Sequence, residues 1–351
     1  MENILKRAEY DELNNYLKSM FSCFEREMPD IITNLEIINK YSFALKEKLK
    51  QYDLKHEVGD NNLDFATLLD LTRKIIGSIN SDYLRIFDKA FMTGNINFNY
   101  GECDLNGEAI KSQFNFSSKN HTKSILVNRN FNYSDVKVLV HEFMHYVGLN
   151  FDKEIKNYYF LSEFIAIYFE TYADDYMCDL GIDKSEIDYA TRLDRIQKRL
   201  TVLVHESSVL LAYYKNHKIT ENTCYELDSL NLPEEVTSER FNRNCKILLN
   251  KFRKIKQDVT AKDNEENYHY LLTKSFVSNT NYVLGVLLTF YARKNNDVDT
   301  IICLNNSLQN PNVNINELLS HFNIDINSDG FTDIALSAVD EYISKYNIKK
   351  R

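Results

Sequence analysis

Residues 136–147 pose a folding problem with few solutions. Val136, Val138, Leu139, Val140, Phe143, Met144 and Val147 are apolar, so the segment belongs inside a protein, yet His141, Glu142 and His145 travel with them. As a helix, the stretch puts both histidines on one face, one turn apart. Unpaired polar groups are costly to bury, so such a helix must meet partners for two imidazoles and a carboxylate. A metal ion supplies them. The run His141-Glu142-Phe143-Met144-His145 is an HExxH motif, whose histidines can hold one zinc while Glu142 takes a proton from a water on the metal. The bland alternative, two surface histidines on an ordinary helix, fits poorly with the apolar flanks.

Two histidines and one carboxylate would leave a coordination position open, as catalytic zinc sites do. Glu163 is the candidate third ligand. It follows His145 by eighteen residues and heads the run Glu163-Phe164-Ile165-Ala166-Ile167-Tyr168-Phe169-Glu170, where a charged group needs a partner. Glu170 lies two turns later on roughly the same face. It is expected to hydrogen-bond a ligating imidazole from behind, or to ligate in place of Glu163. The competing reading of both is a pair of surface carboxylates on an amphipathic helix.

Composition narrows the setting. Three prolines and nine glycines in 351 residues leave long stretches without breakers, which favours a largely helical protein. A net charge of −9 disfavours a general nucleic-acid binder, which needs a cationic face. Six scattered cysteines without a CxxC pair read as reduced thiols, and the charged N-terminus lacks a signal-peptide core. No run is apolar enough for a membrane span. A soluble, cytoplasmic protein is expected, binding neither nucleic acid nor membrane.

Along the chain, 1–58 reads as an N-terminal helical extension, including a helix over 31–51, and 59–351 as the catalytic domain. One long helix is expected over 63–91, closed by Gly94. Residues 96–129 hold the only expected sheet, small and antiparallel, with 124–128 as a strand exposed for pairing. Ser134-Asp135 resembles a helix cap. Further helices are expected over 158–176, 190–214, 233–257, 265–293, 314–321 and 329–346, with a late loop over 295–314 around Pro311.

Several segments together resemble the thimet-oligopeptidase/oligopeptidase F family of zinc metallopeptidases, most closely its oligopeptidase F branch. These are Ile125 to Asn128, Ser134-Asp135-Val136, the HExxH run, Ser162-Glu163 through Glu170, Asn281-Tyr282-Val283-Leu284-Gly285, and the tail from Glu317 to Asp325 with the amphipathic helix after it. The resemblance covers roughly residues 60–351. It implies a mainly helical zincin-like domain with one zinc held by His141, His145 and Glu163. It also implies an oxyanion donor at Tyr282, with His269 a second. On residues alone both are weak, since one tyrosine among 23 is more often packing.

Three departures stand out. Family members carry glycine where this chain has Met144, the gap from His145 to Glu163 is shorter, and most of the family's N-terminal half is missing. In the family that half walls a deep channel. Here the cleft is either shallower or completed by a second copy in a homo-oligomer. The expected activity is hydrolysis of short peptides. A protease dedicated to one protein target, and a zinc site that binds peptides without cleaving them, are the alternatives; the intact Glu142 disfavours the latter.

Overall fold

The computed structural model describes the chain apart from residues 1–4, 28–30, 33, 55–61, 102–110, 118–119, 121, 149–158, 188–189, 228–231, 233–235, 262–267, 309–318, 327 and 329. Its elements in order are α1 (Arg7–Glu27), α2 (Leu35–Lys50), α3 (Phe65–Ile79), α4 (Ser81–Met92), β1 (Ile96–Asn99), β2 (Gln113–Ser117), β3 (Thr122–Asn128), α5 (Ser134–Gly148) and α6 (Tyr159–Asp179). There follow α7 (Ala190–Asn216), α8 (Ser238–Ala261), α9 (Tyr268–Asn295), α10 (Val298–Ser307) and α11 (Phe331–Lys345), with short 3-10 turns at Lys184–Glu186 and Glu221–Tyr225. The mostly helical expectation holds. Among the described residues, no helix is long and apolar enough to cross a membrane.

Two compact units share the chain. One takes residues 1–51 and 195–283, the other 52–194 and 284–351, so α7 and α9 each contribute to both. The domain boundary expected after residue 58 lies outside the described residues. In the first unit, α1 packs on α8 around Leu13, Leu17, Phe241, Leu249 and Phe252, all buried. Arg253 of α8 grips the Glu12 carboxylate with Nε and Nη2, at 3.1 and 2.6 Å.

The second unit holds the sheet, and here two expectations need correction. The sheet is mixed, ordered β1-β3-β2, with β2 antiparallel and β1 parallel to β3. The reason is chain reversal: β2, which comes between them in sequence, runs opposite to β3, and β1 and β3 point the same way. Consequently the strand at 124–128 is no exposed edge. It is the central strand, paired on both sides, with Ile125 opposite both Ile96 and Phe114. The edges available for pairing belong to β1 and β2.

The helix expected over 63–91 is two helices. Asn80, extended at φ −162°, breaks it and caps α4, its Oδ1 accepting from the backbone N–H of Asp82 and Tyr83. Asn and Asp favour such caps because their side-chain oxygen satisfies an orphan helix N–H. The loop expected over 295–314 contains α10, capped by Asp297 through Thr300 N–H at 2.8 Å. The expected helix over 314–321 lies mostly outside the described residues.

β3 delivers the chain to α5 through a knot of buried polar contacts. Arg129 donates to Asp135 at 3.1 Å, and the Asp135 carboxylate also accepts from the backbone of Asn130 and Phe131 at 2.8 and 3.0 Å. Both side chains are almost fully buried. Asp135 therefore ties the turn rather than capping the helix. Asn132 closes the turn that leads into the helix, accepting from Ser134 N–H at 3.0 Å.

Candidate metal centre

Helices α5 and α6 pack closely within the second unit. α6 is apolar almost all round, as expected of a core helix, with Phe164, Ile165, Ala166, Ile167 and Phe169 buried. Three of its acidic residues gather against the basic face of α5. Lys137, His141 and His145 recur every fourth position, and Glu163, Glu170 and Asp174 answer them in the opposite order.

His141, His145 and Glu163 each present a ligand atom within 4.8 Å of the others, and all three are buried. The two Nε2 atoms stand 3.2 Å apart; Glu163 Oε2 lies 3.8 Å from His141 Nε2, and Glu163 Oε1 lies 3.9 Å from His145 Nε2. Ligands about 2.0–2.2 Å from a tetrahedral zinc sit roughly 3.3–3.6 Å from one another, so the separations suit one ion with slight closing.

The opposite ring nitrogens are occupied. His145 Nδ1 meets Ser162 Oγ at 2.7 Å, and His141 Nδ1 meets Glu170 Oε2 at 3.2 Å. An ionised carboxylate only accepts, so the Glu170 contact suits a proton on His141 Nδ1, which would turn the Nε2 lone pair toward His145 and Glu163. Lone pairs and a carboxylate that converge in a buried space call for a cation.

Glu142 is half-buried next to His141. Burial raises its carboxyl above the usual range, against the pull of His141, the backbone N–H of Phe114 and Arg192. That N–H belongs to β2, so the edge strand reaches the carboxylate directly. Burial and the neighbouring His141 and Arg192 push His145 well below the ordinary histidine value. For His141, burial and Arg192 oppose the cation, but Glu170, Glu142 and Glu163 outweigh them and raise it. Burial alone would raise Glu170; Arg192 and His141 prevail and hold its carboxyl down to about 2.

Met144, where the resembled family has glycine, is buried. A close helix approach is found at Gly285 of α9. A Cβ there would meet Phe164 N at 3.1 Å and Glu163 Cβ at 3.2 Å, and Thr289 Oγ1 donates to the Phe164 carbonyl at 3.1 Å. α9 thus presses on the backbone that carries Glu163.

The structure brings together His141, Glu142, His145, Glu163 and Glu170 of the residues singled out from sequence. Tyr282 belongs to the first unit, its ring 3.9 Å beneath the Arg199 guanidinium, and His269 lies on α9 with its side chain outside the described residues. Sequence reasoning gave no role to Ser162, Phe114, Arg192, Lys137, Asp174 or Tyr342. Ser162 directly precedes Glu163, a signal that was available. Phe114 acts through its backbone, and Arg192 has no spacing that points to the motif.

No family profile matches the sequence, and no curated protein does. Two solved structures are similar at a distance. A Bacillus anthracis protein described as a putative oligoendopeptidase F shares 14% identity with a TM-score of 0.47 over 95% of this chain and 56% of its own. PZ peptidase A, solved with an inhibitor, shares 12% with a TM-score of 0.44 over 93% of this chain and 58% of its own. The chain therefore spans little more than half the length of either. With so distant a likeness, the functional reading rests on the side chains of the centre.

Proposed function

We propose that this chain is a zinc-dependent metallopeptidase that hydrolyses peptide bonds in short peptides. The observation that carries the reading is the convergence of His141, His145 and Glu163 on one buried point, with the Glu142 carboxylate beside it. His141, His145 and Glu163 would hold the zinc, which when bound would supply Lewis-acid polarisation of the scissile carbonyl and lower the pKa of water toward neutrality. Glu142 accepts the proton of the attacking water on its carboxylate and returns it to the leaving amine, a task that its raised pKa suits. Glu170 holds His141 through Nδ1, and Ser162 holds His145 in the same way. Tyr282, with His269 second, is the proposed hydrogen-bond donor to the oxyanion.

A peptide enters this scheme as an added strand. β2 is an edge strand, and its residue Phe114 acts on the Glu142 carboxyl through its backbone N–H. An extended substrate paired along that edge lies beside the general base, recognised mainly through its backbone.

The test is hydrolysis of a mixed library of short peptides by wild type and Glu142→Gln, with bound zinc quantified in both. Cleavage by wild type, falling about a hundred- to ten-thousand-fold in the variant while zinc stays bound, is the expected result. Zinc without cleavage in either protein would point to a dedicated protein target or a binding role. A wild type that takes up no zinc would overturn the proposal.

A further inference from the structure

We propose that Arg192 is a positioning residue of this centre, holding the Glu170 carboxylate so that the His141 ring can turn only its Nε2 toward His145 and Glu163. The proposal rests on the metal-centre reading and adds a residue to it. Arg192 stands in the first turn of α7, about a quarter exposed, and its guanidinium meets Glu170 through two nitrogens, Nε on Oε1 and Nη2 on Oε2. That two-pronged grip fixes the plane of a carboxylate as well as its position. Glu170 Oε2, held in this way, lies 3.2 Å from His141 Nδ1.

The competing contact shows why the arrangement is directional. Arg192 Nη2 also lies 3.4 Å from His141 Nδ1, and a guanidinium only donates. Were Arg192 to serve Nδ1 directly, His141 would accept there and carry its proton on Nε2, turned against the other ligands. Nη2 has a second hydrogen, but the carboxylate it pairs with lies nearer to Nδ1, 3.2 Å against 3.4 Å, and is the acceptor that a proton on Nδ1 calls for. Without Arg192, Glu170 can rotate off the ring and the imidazole has no fixed tautomer. Arg192 acts through Glu170, on the face of the ring opposite the ligand atom.

Two measurements test this on the full chain. The first is zinc affinity, by competition with a chromophoric chelator, for wild type, Arg192→Met, Arg192→Lys, Glu170→Gln and the Arg192→Met/Glu170→Gln double variant. The second is the His141 tautomer in zinc-free protein, from nitrogen-15 imidazole spectra. Arg192→Met and Glu170→Gln are each expected to weaken zinc binding about 10- to 100-fold. The double variant is expected to lose no more than the worse single one, because both break one relay. Arg192→Lys keeps the charge without the fork and should recover only part of the loss, which also serves should the methionine variant fail to fold. In the spectra, taken at a pH where the ring is neutral, His141 should pass from a single Nδ1–H form to a mixture when Arg192 is replaced.

Losses that add in full, or a methionine variant with wild-type affinity and tautomer, would overturn the role of Arg192 and leave the zinc site standing. A wild type that binds no zinc would overturn the metallopeptidase reading instead. The zinc-free spectra would then decide Arg192 alone: a mixture in the variant supports it, and an unchanged ring overturns it.

Discussion

Asp174 shows how far the polar organisation extends beyond the ligands. It lies fully buried one turn past Glu170, pairs with Lys137 at 2.8 Å and accepts from the Tyr342 hydroxyl at 2.5 Å. Burial outweighs the Lys137 ammonium and raises its carboxyl to about 6. The folded protein thus binds this proton more tightly than the unfolded chain, whose carboxyl titrates near 4. Its contribution to stability is full below that value and is lost as pH rises through 6. Urea unfolding of zinc-free protein between pH 4 and 6.5 should show this slope in wild type and lack it in Asp174→Asn; equal slopes would refute the assignment. The same scale shows what a sequence can reveal. His141 and His145 were legible because helical spacing in the chain is spacing in space, and Glu163 because it is a charge in an apolar run. Arg192 and Asp174 owe their places to packing between helices, which no local spacing encodes.

For the elements, periodicity found nearly every helix and misjudged where some begin. Apolar spacing runs unbroken from Leu68 through Phe87, so the cap at Asn80 was hidden inside one long pattern although Asn80-Ser81-Asp82 is a plausible start signal. α10 was masked in the opposite way. Its asparagine-rich surroundings read as loop, while Asp297 followed by Ile301, Ile302 and Leu304 spells a capped helix. The direction of β1 could not be read at all, since strand propensity carries no information about partner. The seat of Glu163 is decided by the approach of α9 to α6 at Gly285. Gly285→Ala would bring a methyl group within 3.1–3.3 Å of α6 backbone and Glu163 Cβ, tighter than ordinary contact. It is expected to cost about 1–3 kcal/mol in urea unfolding and to weaken zinc binding. Unchanged zinc affinity would show that the approach does not matter to the ligand.

At the scale of the whole molecule, bound metal and fold should be linked. If zinc binds only the folded chain, about 2.7 kcal/mol of stability accompanies zinc at a hundred times its Kd. Stripping zinc with a chelator is therefore expected to lower the Tm, and adding zinc back to restore it. A Tm indifferent to both treatments would contradict the centre. Among the described residues, Cys23, Cys178, Cys224, Cys245 and Cys303 are thiols outside any disulfide; Cys103 lies outside the described residues. Both units are stitched from segments far apart in sequence, and that has a consequence for biosynthesis. All three ligands leave the ribosome within one helical hairpin, yet the Thr289 contact to Phe164 waits 125 residues and the Tyr342 contact to Asp174 waits 168. At a synthesis rate of about 5–20 residues per second, the nascent hairpin exists for roughly 10–30 s before its last support arrives. Translation itself thus separates the birth of the ligands from the locking of their cradle.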